Sequence, residues 1–457
     1  MKFTKYVVLF AVIAALCLAG CSGKSSSASG SSAAAAAPAG ELIGSGAVKF
    51  DTGKDVSGKL SVWFYEDGKR FIDFFFQDYQ KYRPKVDLEV TYLAWSDYWT
   101  KLPVSVASGQ GPDLYYFHNS NHTVMVQEGL QFPYDTALVN LLRQDFDNID
   151  QFVYGGNVYY VPTGNGHGMI YYNKDMWAAA GLTEADFPET WEQLHELALK
   201  LTKREGGRLE ISGFNFTPLG AFREDMGYLS GRFQYSEDGK HALMNNPDTK
   251  RVYEYFFDWV LKDGIDSPTF PEYQQSFQDG TSAMTWNHPY FAGVLIRNAP
   301  NLNFGVFPLP RFEAAKRNWH YNNPDVSFGI NARASNRGKE LALDMLYLFF
   351  AEDKYLEEWC YEQGLAPTKK TLQGNARLAS NPFIAVQMAD SENSVYAGGS
   401  VSGFNRVLTN ELIDPMMVGG KSWDDVIGVT VQELDKLLAT VSFTPVERKW
   451  NLANELK

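Results

Sequence analysis

Cysteine is nearly missing from this chain: three residues in 457, at positions 17, 21 and 360. That excludes a disulfide-stapled scaffold, which needs several paired cysteines. Positive charge is also scarce, with 41 Lys and Arg against 54 Asp and Glu and a formal net charge of −13. Binding a phosphate backbone takes clustered cations, so nucleic acid is excluded as a partner. The same balance argues against a polyanionic substrate and leaves room only for a local basic pocket. Beyond residue 21 no apolar run reaches the roughly 20 residues that span a bilayer. The common catalytic signatures are lacking too: no P-loop, no GxSxG elbow and no HExxH helix. His118 and His122 stand four apart, but Asn119-Ser120-Asn121 between them is turn-like and no Glu follows the first His, so the pair does not read as a zinc site. Cys360 follows Trp359 in a helical stretch without a partner motif and reads as a buried structural thiol. No cofactor and no metal is expected.

What the chain does have is apolar and aromatic mass. Hydrophobic residues make up 45% and aromatics 15%, with 31 Phe, 25 Tyr and 11 Trp. This rules out wholesale disorder. The length gives two to four domains' worth of chain at about 100–200 residues each. Aromatics beyond those needed for cores can serve as flat surfaces for a ligand.

The amino-terminal segment carries an address. Lys2 and Lys5 precede the apolar run Tyr6 to Leu18, which is too short for a good span and fits the h-region of a signal peptide. Leu18-Ala19-Gly20-Cys21 resembles a bacterial lipobox, which implies cleavage before Cys21, lipidation of that thiol and attachment to a membrane. Residues 1–20 are therefore expected to be a signal peptide. Loss of Lys2 and Lys5 leaves 39 basic against 54 acidic residues, a net charge of −15. Residues 21–48, rich in Ser, Ala and Gly, read as a flexible linker that cannot bury a core.

The body reads as alternating strands and helices. Lys59 to Phe64 is a strand, Phe71 to Tyr82 a helix stopped by Pro84, Val86 to Tyr92 a strand and Tyr98 to Ala107 a helix. A Gly111-Pro112-Asp113 loop follows, and then a strand from Leu114 to Phe117. Such alternation predicts an α/β fold with a largely parallel sheet. Further on, Thr190 and Gln193 have capping-box spacing ahead of the stripe Leu194, Leu197, Ala198 and Leu201. Trp191 at that helix start reads as packing, and Gly280 suits a tight helix-to-strand turn.

Several segments in order resemble the extracellular solute-binding proteins of ABC transporters, above all the sugar-binding, maltose-binding-protein-like branch. They are Tyr171-Tyr172-Asn173-Lys174-Asp175, Ala180-Gly181-Leu182, Pro188-Glu189-Thr190-Trp191, Phe277 to Met284, Phe304 to Pro310, and Gly364-Leu365-Ala366-Pro367-Thr368. The resemblance covers roughly 400 residues. It implies a type II-like, two-lobed periplasmic-binding-protein fold, each lobe a mostly parallel sheet flanked by helices. Residues 49–163 plus 329–380 would form the N-terminal lobe, and 164–328 plus 381–457 the C-terminal lobe. Hinge crossovers are expected near Pro162 to Gly168, near Asn323 to Gly329 and near Asn381. Gly164, Gly166 and Gly168 are suited to absorb the dihedral changes of closure.

Ligands of open α/β sheets sit beyond the carboxyl ends of strands. That rule selects Trp63, Phe64, Glu66 and Asp67 after the first strand, and Phe117, His118 and Asn119 after the third. Asn165 and His167 lie at the first crossover. On the other lobe Asn215 and Phe216 follow a predicted strand, and Trp286, Asn287, His288 and Tyr290 follow Ala283-Met284. The resemblance places an aromatic platform in that last segment, filled by Trp286 or Tyr290 according to register, and a final contact loop at Phe404 and Asn405. Trp319 and His320 are further candidates. Flat aromatics cover the C–H faces of a sugar, while Asp, Glu, Asn and His pair its hydroxyls.

The implied function is capture of a carbohydrate, an oligosaccharide, by a monomeric lipoprotein outside the cytoplasm and its delivery to an ABC permease, without catalysis. Thr163-Gly164-Asn165-Gly166-His167 carries no carboxylate at the first crossover, which leaves peptides and other polar solutes open. A secreted glycoside hydrolase, whose paired carboxylates meet only in the fold, and a solute sensor for a membrane receptor are the alternatives.

Overall fold

The computed structural model describes residues 40–449 apart from 316, 397, 400 and 443–447. The signal segment, Cys21 and the linker up to residue 39 lie outside the described residues. The folded body begins earlier than the expected linker end at 48. Leu42–Ile43 pair with Phe50–Asp51, Val48 is fully buried, and the carboxylate of Asp145 accepts the amides of Ala47 and Val48 at 2.5 and 2.8 Å.

In chain order the elements used below begin with β1 (Gly58–Tyr65), α1 (Lys69–Tyr82), β2 (Val86–Leu93), α2 (Trp95–Ala107), β3 (Leu114–Tyr116) and β4 (Gln131–Phe132). They continue with β5 (Pro162–Asn165), β6 (Met169–Asn173), α3 (Trp191–Leu201), α4 (Phe222–Tyr228), β7 (Met284–Asn287), α5 (Tyr290–Asn298) and β8 (Phe304–Phe307). Last come β9 (His320–Asn322), β10 (Asp325–Val326), β11 (Phe328–Asn331), α6 (Asn336–Ala351), α7 (Asp353–Gln363), β12 (Ala366–Pro367), α8 (Pro382–Ala389) and β13 (Ser394–Tyr396).

Two large hydrophobic cores organise them. The first surrounds a five-stranded sheet in the order β2-β1-β3-β11-β4. β1 runs parallel to β2 and β3, whereas β11 returns antiparallel from far along the chain. α1 covers this sheet because Phe71, Ile72, Phe75, Phe76 and Tyr79 recur at helical spacing and are all buried. At its end Arg83 is buried against Asp344 of α6, Nε to Oδ2 2.7 Å. That pairing satisfies a charge that would otherwise be costly to desolvate.

The second core gathers around β6, which lies between β7 and β8 and runs antiparallel to both. The parallel pairing here is made instead by residues 212–215 against 282–285. Period-two alternation splits β6 cleanly. Ile170 and Tyr172 face the second core, and Met169 and Tyr171 face a smaller cluster with Phe277 and Phe291. α3 opens with the full capping box, Thr190 accepting from the Gln193 amide and Gln193 reaching back. Trp191 is fully buried at that start, and Gly280 takes φ +69° in its turn.

The chain passes between the cores three times. β5 leads from the first core to β6, and the stretch β9 to β11 leads back. The final passage falls between Tyr396 of the first core and Val401 of the second, later than Asn381. At Asn381 the chain instead enters α8, whose Ile384 belongs to the first core while Phe383 and Val386 pack on the Phe291 cluster.

Candidate functional site

A cavity of about 530 Å³ takes its lining from both cores, a size typical of small-molecule sites. The first wall is built where parallel strands end. β1 delivers Tyr65, the following turn Asp67, and the first turn of α1 Arg70. The Tyr65 hydroxyl accepts from Gln363 Nε2 at 2.5 Å, and its ring packs 4.7 Å from Tyr116 and 5.4 Å from Trp95. Trp95 leads α2 and is 46% exposed. From β3, Tyr116 donates to Asp325 Oδ1 at 2.7 Å while Trp359 Nε1 donates to Oδ2 at 2.7 Å. Both oxygens of that carboxylate are thereby oriented.

The facing wall comes from α5 and the turn just before it. Tyr290, Val294 and Arg297 are spaced four and three apart and so share one helix face, and all three line the cavity. Tyr290 is 43% exposed, its hydroxyl held by Gln274 Nε2 at 2.8 Å. His288 sits just before the helix and is buried, and neither ring nitrogen has a partner among the described residues. Burial, helped by His167 and His118 nearby, pushes its pKa down to about 3. Burial likewise takes His118 to about 4. Both imidazoles are therefore neutral near pH 7, each with one N–H donor and one acceptor nitrogen. Glu224 accepts from Asn405 at 2.6 Å, and burial raises its pKa.

The crossovers form the floor. Tyr321 of β9 stacks at 16° on Tyr228 and lines the cavity, as does Asn323, whose amide donates to the Gly166 carbonyl at 2.8 Å. Beneath them side chains of α8 and of the turn after it hold the first two crossovers. The His167 amide donates to Gln387 Oε1 at 2.7 Å, and Gln387 Nε2 returns to the His167 carbonyl at 3.0 Å. His320 pairs with Asp390 at 2.6 Å. Burial opposes charge on both, but each stabilises the other: His320 is held above its ordinary pKa and Asp390 drawn down to about 2. Among the described residues no group of three His, Cys, Asp or Glu converges as a metal site.

The sequence that builds this cleft is matched by a family model. Residues 65–351 match the model described as bacterial extracellular solute-binding protein. The chain belongs to that family. Its members are substrate-binding proteins.

Three relatives set the range of this solute-binding protein. A binding protein of Brucella abortus (strain 2308) is 24% identical over 397 residues, covering 84% of this chain and 86% of its own. The maltotriose-binding protein of Pyrococcus abyssi is 21% identical over 334 residues, covering 72% and 70%. The ABC substrate-binding protein of Listeria monocytogenes in complex with cycloalternan superposes with a TM-score of 0.70 at 16% identity, covering 84% of this chain and all of its own. That likeness is one of two-lobed fold.

Of the residues expected at the cleft, Asp67, His118, His288 and Tyr290 line it. The others lie elsewhere, each for a visible reason. Trp63 is half-buried against the first core, and Glu66 is exposed in the turn off the wall. Strand alternation after β3 sends Tyr116 and His118 to the cavity, so Phe117 turns the other way and packs 4.8 Å from Tyr160. Asn119 is buried, accepting from Tyr160 at 3.1 Å and donating to the Gly398 carbonyl. Asn165 accepts from Asn322 at 3.3 Å, and His167 is engaged with Gln387. Asn215 is spent on Pro271 and Ser276. Phe216, Trp286 and Phe404 belong to the second core.

The cleft also contains residues not expected to touch a ligand: Tyr65, Arg70, Trp95, Tyr116, Glu224, Arg297, Tyr321 and Gln363, together with Asn323 and Asp325 of the stretch expected only as a crossover. The three-and-four spacing from Tyr290 to Arg297 was a usable signal for one of these.

Proposed function

We propose that this chain is the substrate-binding component of an ABC importer. It captures a carbohydrate, most simply an oligosaccharide, in the cleft between its cores. The observation that carries this reading is the composition of the walls. Exposed aromatic faces at Trp95 and Tyr290 stand with neutral imidazoles and oriented carboxylates around one cavity of about 530 Å³. Aromatic faces suit sugar C–H surfaces, and the two ring nitrogens of buried His288, without partners among the described residues, call for hydroxyls. The maltotriose and cycloalternan named for two relatives support the same ligand class. The two cores would be the lobes, and the three crossovers their hinge, closing when a ligand contacts both walls.

The cargo leaves chemically intact. Asp325 is fixed by Tyr116 and Trp359 and Glu224 is bonded to Asn405, which suits them to holding hydroxyls rather than to proton transfer. The protein works outside the cytoplasm as a monomer, anchored through a diacylglycerol on Cys21, and passes its sugar to a membrane permease.

A thermal-shift screen against neutral mono- and oligosaccharides, followed by calorimetry and recovery of the sugar, tests this reading. Ligand-induced stabilisation, compaction in small-angle scattering and unaltered sugar are expected. Turnover of the oligosaccharide, or stabilisation by peptides alone, would overturn it. Radiolabelled fatty acid should be incorporated into the wild type and not into Cys21→Ser.

A further inference from the structure

Two guanidinium groups meet across the cleft. Arg70 projects from α1 and Arg297 from α5, and both line the cavity. They flank Gly293: a methyl carbon placed there would lie 3.2 Å from Arg297 Nη1 and 3.4 Å from Arg70 Nη2. The missing side chain keeps the gap between the two cations open. Arg70 is paired with Glu362. Arg297 is exposed and has no ion-pair partner among the described residues. Burial and then Arg297 lower the pKa of Arg70, so the two cations are close enough to repel.

Most of the nearby carboxylates are already engaged. Asp325 holds Tyr116 and Trp359, Glu224 accepts from Asn405, and Glu358 pairs with Arg377. Asp67 lies on the Arg70 side of the wall, exposed to solvent. The corner between the walls thus brings together two like charges with one direct counterion, in a chain whose surface is otherwise acidic. Planar guanidinium forks match a carboxylate with paired N–H···O bonds. A carboxylate in this corner would touch both walls and offset the repulsion, so it would favour the closed state over the open one.

We propose that the bound carbohydrate carries a carboxylate, as a uronic acid residue does, gripped by Arg70 from one wall and Arg297 from the other. This rests on the carbohydrate reading above and narrows it. Sugar faces would lie on the aromatics while the acid group occupies the arginine corner. Loss of Arg297 removes charge-assisted hydrogen bonds that are made only to the acid group.

The test is calorimetry on the full body with di- and trisaccharides of galacturonate, glucuronate and mannuronate, each against its neutral counterpart of the same linkage. At least one uronate is expected to bind more tightly than its neutral counterpart, with affinity falling as salt rises. Arg297→Gln should weaken that uronate by about ten- to a hundred-fold, and Arg297→Lys should restore part of the loss. The melting temperature of the ligand-free variants should stay unchanged, because Arg297 is exposed. Equal or tighter binding of neutral sugars, or uronate binding indifferent to Arg297→Gln, overturns the acidic group and leaves the carbohydrate reading standing. Failure of every carbohydrate, acidic or neutral, overturns both.

Discussion

Trp286 donates its indole N–H to Oδ2 of Asp225 at 2.8 Å, and Oδ1 of the same carboxylate accepts the backbone N–H of Tyr321 at 2.6 Å. One buried acid thus fixes a core tryptophan of β7 and the crossover strand that brings an aromatic ring to the cleft. Burial pushes the pKa of Asp225 up to about 7, against the pull of His320 and these donors. Trp286 is consequently a support for the site rather than its stacking platform. Trp286→Phe leaves one oxygen of a buried carboxylate without its donor and should cost about 1–3 kcal/mol of stability. Chemical unfolding reads that loss, and calorimetry should show sugar affinity changing only a few-fold. Abolished binding with unchanged stability would place Trp286 on the ligand after all.

Tyr290 and Trp95 should behave in the opposite way. Both keep more than two fifths of their surface exposed while lining the cavity. Truncation to alanine removes little packing at Tyr290, and at Trp95 mainly edge contacts with Tyr65, Trp99 and His118. Each change should weaken sugar binding by about ten-fold, in keeping with about 0.5–1.5 kcal/mol for an aromatic contact beyond its area, and leave the ligand-free melting temperature within a degree or two. A large drop in melting temperature for either variant would mean that the ring is structural.

The contrast between these pairs shows where sequence reasoning holds and where it fails. Local chemistry was legible: the Thr190–Gln193 capping box, the apolar stripe of α3 and the turn at Gly280 all depend on neighbours within a few residues. The rule that ligands lie past strand ends found Asp67 and His118. It could not say which of two consecutive residues faces the cavity, so Phe117 and Asn119 were expected together with His118. Asp325, Gln363 and Tyr321 escaped because they reach the cleft only after the chain has crossed between cores. Their partners, Tyr116, Tyr65 and Asp225, are more than 90 residues away in sequence.

The imidazole of His288 gives the site a defined pH response. Its pKa is about 3 in the folded protein and about 6.5 in an unfolded chain. Between those values the unfolded state binds more protons, so this residue's contribution to stability is intact above about pH 6.5 and is lost as the pH falls. Asp225 works in the reverse sense over part of the same range, so the wild-type curve alone does not isolate His288. The difference from His288→Gln does. Moving from pH 7 to pH 5, the wild type should lose about 2 kcal/mol relative to the variant. Parallel curves for the two proteins would show that the ring is charged or solvated in the fold. His288 and His118 remain neutral throughout this interval, so a change in sugar affinity across it would come from Asp225 or Glu224 and not from these imidazoles.

Gly168 decides what the glycines of the first crossover are for. None of Gly164, Gly166 and Gly168 has a positive φ, so the backbone dihedral angles do not require glycine here. Space does. A β-carbon at 168 would fall on the indole nitrogen of Trp286 and 2.6 Å from Asp225 Oδ2, both part of a buried hydrogen-bonded unit. At 166 it would meet the end of the Leu365 side chain at 2.8 Å, which has room to turn aside. Gly168→Ala should therefore cost about 1–3 kcal/mol through overpacking, and Gly166→Ala clearly less. Once bound to sugar, both variants should still compact in small-angle scattering. If instead the two substitutions left stability equal and both prevented compaction, these positions would be acting as dihedral joints rather than as points of close approach.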